Sequence, residues 1–153
     1  MPLLREEDRK QEKMNRIVYD IETSPDYRHG IVSGNMMCKI KDGLKSTHGL
    51  VTMRNLDFKY HPDKNDDYVI PDIMVICDRK HLKGGAYSGT PKFIAETLSP
   101  STALRDRTDK LRAYEEAGVE EYWIVSPQGK SVDIYYSNFP HRFDVLNLEK
   151  SIL

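Results

Sequence analysis

The segment that most constrains this chain is Tyr68-Val69-Ile70-Pro71-Asp72-Ile73-Met74-Val75-Ile76-Cys77, which is apolar on both of its alternating faces. A strand of that kind belongs in the middle of a sheet covered by helices. A second such run comes later, Phe93-Ile94-Ala95-Glu96-Thr97-Leu98. Each run carries one acid: Asp72 shares a face with Met74 and Ile76, and Glu96 shares a face with Ile94 and Leu98. A buried carboxylate must be protonated, paired or bound to a cation, because its desolvation otherwise costs several kcal/mol. If the two strands form a hairpin with its loop over 78–90, a register pairing Cys77 with Pro91 sets Asp72 opposite Glu96, with Cβ atoms ~5 Å apart. Two carboxylates that close repel unless a proton or a cation lies between them. Oxygen ligands from two acids plus waters suit magnesium or manganese. The competing reading is that each acid caps a strand end or pairs with a nearby base, and Pro71 marks a natural strand start just before Asp72.

The rest of the chain reads as a mixed sheet with one helix before it and one inserted into it. Residues 1–15 form a charge-dense lead-in, frayed or weakly helical, with a single domain over 16–153. Arg16 to Asp20 is a short β-prone run, and Ser24-Pro25-Asp26 is a turn able to cap the first helix. From Tyr27, the apolar residues Ile31, Val32, Met36, Ile40 and Leu44 fall at helical spacing. Leu50 to Met53 and Leu56 to Tyr60 are short strand signals, and 78–91 is a glycine-rich loop. A helix is expected from Ala103 to Ala117, with Leu104, Leu111 and Tyr114 on its inner stripe and Gly118 at its C-terminal cap. Strands are expected at Glu121–Val125, Val132–Tyr136 and Arg142–Leu146. The pattern is α+β with α/β-like layering.

Lys110 lies on the helix that leaves the Glu96 strand, with Asp106 four residues earlier. The plain reading is a surface ion pair worth ~0.3–0.5 kcal/mol. Ala103, Ala113 and Ala117 on the same side would nevertheless let the helix approach the sheet and bring the ammonium to the two acids. His29, early on the first helix, is the best-placed histidine, although a lone histidine is more often bonded to a structural partner. No zinc-ligand spacing, phosphate-binding glycine loop or Gly-x-Ser-x-Gly turn occurs.

Composition excludes several classes. The chain has 153 residues, 39% hydrophobic and 31% charged, which fits one folded domain rather than a disordered chain. No apolar run is long enough to span a bilayer, no signal peptide is evident and only two cysteines are present, so a cytoplasmic protein without a disulfide scaffold is expected. The net charge of −1 gives no bulk attraction to nucleic acid. Locally, 79–92 holds Arg79, Lys80, Lys83 and Lys92 with no acid. In an antiparallel hairpin that loop lies ~15 Å from Asp72, at ~3.3 Å per residue. Lys110, Arg107 and the first helix would therefore supply any positive charge close to the two acids.

Taken together, Val69 to Asp78, Gly89-Thr90-Pro91, Glu96 to Thr102, then Asp106, Lys110, Tyr114 and Ala117 to Val125 resemble the Uma-two family, a branch of the PD-(D/E)XK nuclease superfamily. The match is dense over 68–136 and thinner over 19–44, where Tyr19-Asp20, Ser24-Pro25 and His29 fit. The resemblance implies a restriction-endonuclease-like core and a metal-dependent phosphodiesterase acting on DNA, with duplex as the expected substrate. It makes Asp72 and Glu96 the holders of Mg2+ or Mn2+. The superfamily's lysine position, two residues after the acid, is Leu98 here, and the family's helix-borne lysine falls at Lys110. His29 would carry a proton or contact phosphate. Glu12 matches an acid at the edge of the family site, although Asn15-Arg16 stands where the family has an Asp-Gly turn, and the chain stops soon after its last strand.

Three functions are compatible with these residues: a magnesium-dependent endonuclease, expected to work as a homodimer if it cuts both strands; a catalytically degenerate nuclease fold that binds nucleic acid or protein without cutting; and a hydrolase or metal protein acting on something other than DNA. No membrane partner is expected.

Overall fold

The fold is built around the two apolar runs. In the computed structural model, which describes residues 10–21, 26–138 and 142–148, they become β5 (Ile73–Ile76) and β8 (Phe93–Thr97) of a six-stranded sheet. The other strands of that sheet are β3 (Leu50–Thr52), β9 (Glu121–Ser126), β10 (Ser131–Asn138) and β11 (Arg142–Leu148), in the order β11-β10-β9-β8-β5-β3. All neighbours are antiparallel except β8 and β9. That parallel pair is joined by a helical crossover, as parallel strands require. The expected α+β fold with a mixed central sheet is therefore the one that forms.

Register obeys the alternation of the sequence. Ile73 pairs with Ala95, Met74 with Ile94 and Val75 with Phe93. One step further along the same ladder, Asp72 faces Glu96, the register inferred from the sequence. The run 68–77 is not one strand, however. Tyr68 bridges Lys13 and Val69 bridges Phe58, and β5 starts only after Pro71. Proline has no N–H to give a ladder, so the chain changes partners there.

Both faces of the sheet are covered. Helix α1 (Tyr27–Gly43) lays Val32 and Met36 over Ile73, Ala95, Val125, Val132 and Ile134. Ile31, one of the apolar residues at helical spacing, is exposed. On the other face, Met74, Ile76, Ile94 and Ile124 pack with Ala113, Tyr114 and Tyr122, and with Phe58 and Tyr87. Phe58 and Tyr87 belong to β4 (Asp57–Phe58) and β7 (Ala86–Tyr87), which form a small sheet with β6 (Leu82–Lys83). The glycine-rich stretch expected to be loop thus contains two short strands. None of the described helices is long and apolar enough to cross a membrane.

Two further differences shape the site. Residues 11–14 are not frayed helix. They form β1 (Gln11–Met14), which pairs with β2 (Ile17–Asp20) through a two-residue turn. Asn15 and Arg16 both have positive φ, 52° and 68°, the geometry of a type I′ hairpin turn. The single helix expected over 103–117 is broken into α2 (Ala103–Arg107) and α3 (Asp109–Glu116) at Thr108. The break puts the two segments out of phase, so Leu104 does not continue the stripe of Leu111 and Tyr114. It is 77% exposed, and Asp106 and Lys110 turn inward instead. The turn at Ser24-Pro25 lies outside the described residues.

Candidate active site

The site forms at the end of the sheet where β5 begins and β8 ends. Asp72, Glu96, Lys110 and His29, all singled out from the sequence, line one small cavity of about 30 Å³ together with Glu12, Asp106, Arg54 and Arg105. The four acids are buried, as are Lys110 and His29.

Asp72 stands just before β5, within reach of both α1 and β8. Its Oδ2 accepts from the Thr97 backbone N–H at 2.8 Å and lies 3.1 Å from His29 Nε2. Its Oδ1 lies 3.5 Å from Arg54 Nε. Burial pushes this carboxyl up, but the His29 contact, the Lys110 charge and the Thr97 N–H outweigh that and hold it below the usual range. The His29 ring faces Asp72, so it stands as the orienting partner of that carboxylate.

Glu96 is bound on both oxygens. Oε1 accepts from Lys110 Nζ at 3.0 Å and Tyr114 OH at 2.7 Å, and Oε2 accepts from the Asp72 backbone N–H at 3.2 Å. Burial drives Glu96 well above the carboxylate range, with Lys110 pulling against it and the charges of Asp72, Asp106 and Glu12 adding to it.

Lys110 is the hub. Its Nζ lies 3.0 Å from Glu96 Oε1, 3.0 Å from Glu12 Oε1 and 3.6 Å from Asp106 Oδ1. Burial pulls the ammonium down, but the surrounding carboxylates reverse this and hold it well above its ordinary range. Of the two readings of Lys110, the approach of its helix to the sheet is the one that occurs: its pairing with Asp106 is interior, with Ala113 and Tyr114 of α3 packed in the core. Asp106 accepts from the Thr102 side chain, while its buried Oδ1 has no hydrogen-bond partner. Burial raises this carboxyl too, against the Lys110 charge.

Glu12 arrives on β1. It is 1% exposed, accepts from the Ile70 N–H at 2.9 Å through Oε1 and from Arg105 Nη2 at 2.9 Å through Oε2. The short β1–β2 hairpin projects it inward, since its alternate residues Glu12 and Met14 are the buried ones. The guanidinium of Arg105 also sits 4.4 Å over the Tyr19 ring. Arg107, expected to supply positive charge close to the two acids, turns away and pairs with Asp133 at 2.7 Å. Arg54 and Arg105 take the places expected of it, and nothing in their sequence spacing marks either one. Lys92, one of the bases of the 79–92 stretch, is paired with Glu120.

Among the described residues, no group of three or more His, Cys, Asp or Glu side chains is arranged as it stands to hold a metal ion. The donor chemistry nevertheless fits a hard divalent cation. Several carboxylates line one cavity, one buried carboxylate oxygen lacks a hydrogen bond, and the volume exceeds what a single water needs.

Known proteins share this sequence pattern and this fold. The family model Uma2, described as "Putative restriction endonuclease", matches residues 1–151. An uncharacterized protein of Synechocystis sp. is 29% identical over 127 residues, 80% of this chain and 64% of that protein, so the chain spans just under two-thirds of the curated relative's length. The crystal structure of "a putative nuclease belonging to DUF820" from Anabaena variabilis superposes with a TM-score of 0.73 at 16% identity, covering 92% of this chain and 76% of the other. At that identity the likeness establishes a shared fold.

Proposed function

The chain belongs to the Uma2 family, and from that premise we propose that it hydrolyses phosphodiester bonds in DNA with the help of Mg2+ or Mn2+. Asp72 and Glu96 would hold the ion, and Lys110 would assist beside them. The observation that carries this reading is the meeting of Asp72, Glu96 and Lys110, distant in the sequence, around one small cavity.

The charge balance supports it. The cavity is lined by four acids (Glu12, Asp72, Glu96 and Asp106) and three bases (Arg54, Arg105 and Lys110). Counted formally, the four acids exceed the three bases by one, a poor environment for a phosphodiester. Two added positive charges reverse the sign and make it a good one. A divalent ion, when bound, polarises a nonbridging phosphate oxygen and lowers the pKa of its water. The chain's own residues do the rest. His29 orients Asp72 through their 3.1 Å contact, and the Thr97 N–H fixes the same oxygen. Lys110 stabilises charge developing on the phosphorane. Arg54, which lines the cavity, would meet the phosphate itself. The basic stretch 79–92 lies beyond the far end of β5, so its bases would bind a flank of the duplex.

A specific observation favours a second reading. Both Glu96 oxygens already hold donors, as they would in a nuclease fold that binds nucleic acid without cutting it. Plasmid and linear duplex incubated with the protein in Mg2+ or Mn2+ decide between them. Cleavage that stops with EDTA, and with Asp72→Asn or Glu96→Gln while the circular dichroism spectrum is kept, supports the enzyme. Undiminished cleavage by either variant overturns the assignment. Salt-sensitive DNA retention with no cleavage establishes the binding module instead.

A further inference from the structure

We propose that Asp106 is a positioning residue that takes the Lys110 ammonium over from Glu96, freeing Glu96 Oε1 for a divalent cation. The inference rests on the metal reading above and adds a role for a side chain outside the proposed ligand pair.

The contacts leave few alternatives. Glu96 Oε2 is fixed by the backbone N–H of Asp72, which the strand geometry holds in place. Glu96 Oε1 carries Tyr114 and Lys110. Tyr114 is wholly buried in the core, so Lys110 is the donor that can leave. Its ammonium has three protons to place, and only Glu12 and Glu96 stand at 3.0 Å. Lys110 is 3% exposed, so once it releases Glu96 it has almost no bulk water to turn to. It needs a second buried anion beside Glu12.

Asp106 Oδ1 is that anion. It lies 3.6 Å from Nζ, too far for a good hydrogen bond and close enough to become one with a small side-chain rotation. It is the one buried carboxylate oxygen without a hydrogen-bond partner among the described residues. An orphaned buried acceptor normally costs about 1–3 kcal/mol, and this one is aimed at a cation already leaning on two other acids. The Asp106 backbone is also anchored, since its carbonyl accepts from Tyr122 OH at 3.0 Å. The backbone that carries the waiting acceptor is therefore held still. Asp106 acts through Lys110 and is not itself a ligand.

The test is Mn2+ affinity by titration calorimetry on the full chain, without nucleic acid. Asp106→Asn keeps the shape and removes the charge, and it should weaken Mn2+ binding about tenfold, the size expected for coupled neighbours. In a Lys110→Met background, with no ammonium to relocate, the same substitution should change affinity by less than about threefold. Where Lys110→Met does not fold, Lys110→Gln supplies the uncharged background. An equal loss in both backgrounds would make Asp106 a ligand and overturn the proposal, as would unchanged affinity in Asp106→Asn. If the unsubstituted protein binds no Mn2+, the metal reading itself fails and this inference fails with it.

Discussion

Replacing Lys110 by Met tests the electrostatic design of the site most directly. Met keeps much of the length and volume of the side chain, so the space filled at this buried position changes little. The substitution removes the cation within 3.0 Å of Glu12 and Glu96 and 3.6 Å of Asp106, all nearly or fully buried. Removing one partner of a buried ionic cluster costs about 3–5 kcal/mol, because the remaining charges stay in low dielectric unpaired. Against a total stability of about 5–15 kcal/mol, that is a large fraction. At about 2–4 °C per kcal/mol for a domain of this size, Tm should fall by roughly 6–20 °C at pH 7. The loss should also depend on pH. Without Lys110, the largest influence opposing the burial that already raises Glu96 and Asp106 is gone. A carboxyl raised in the folded state holds its proton while the unfolded chain has released it, so stability falls as pH rises through that window. The penalty should therefore be small near pH 4 and should grow toward neutrality. Urea denaturation monitored by Trp123 fluorescence, at several pH values, measures both effects. Equal midpoints for the variant and the unsubstituted protein at pH 7, or a loss that does not change with pH, would refute the reasoning.

His29→Gln should release Asp72 from the contact that offsets its burial. The Asp72 carboxyl should then titrate at higher pH, and a carboxyl carbon chemical shift that titrates at an unchanged midpoint would show that His29 does not hold it. Arg16→Gly should stabilise the protein by up to about 1 kcal/mol, because Arg16 occupies the left-handed region at φ 68° where a side chain is strained. The check is a higher urea midpoint, and a lower one would argue against the type I′ turn.

The centre of the site was legible because β-structure carries its register in an alternating pattern. Ile73, Met74 and Val75 pair with Ala95, Ile94 and Phe93, so the two acids meet at the sheet end as the alternation implied. Lys110 was legible through its alanine-lined side of the helix. The hairpin that delivers Glu12 was not. Its turn residues are Asn15-Arg16 rather than Asn-Gly, and its strands mix charges with few apolar residues. Arg105 and Arg54 were hidden for a different reason. An arginine that serves a buried acid looks, in one dimension, like any solvated base, and the break at Thr108 that selects Arg105 over Arg107 has no local signal beyond a β-branched residue.

A buried ionic network can be merely structural, and the distinction turns on how completely it is satisfied. A structural network closes on itself, because every unpaired buried charge weakens the fold, and apolar residues of the same volume often serve stability as well or better. This one does not close. It holds four acids against three bases around a cavity, drives Glu96 upward by burial and leaves Asp106 Oδ1 without a hydrogen bond. Counted formally, the surplus is one acid, and the fold that carries it rests on two apolar clusters, one on each face of the sheet. A divalent cation would relieve that surplus, so binding should stabilise the folded state by about 2.7 kcal/mol at a hundredfold excess over Kd. A rise in Tm with Mn2+ that disappears in Asp72→Asn would mark the network as functional. A melting temperature indifferent to the ion would mark it as structural.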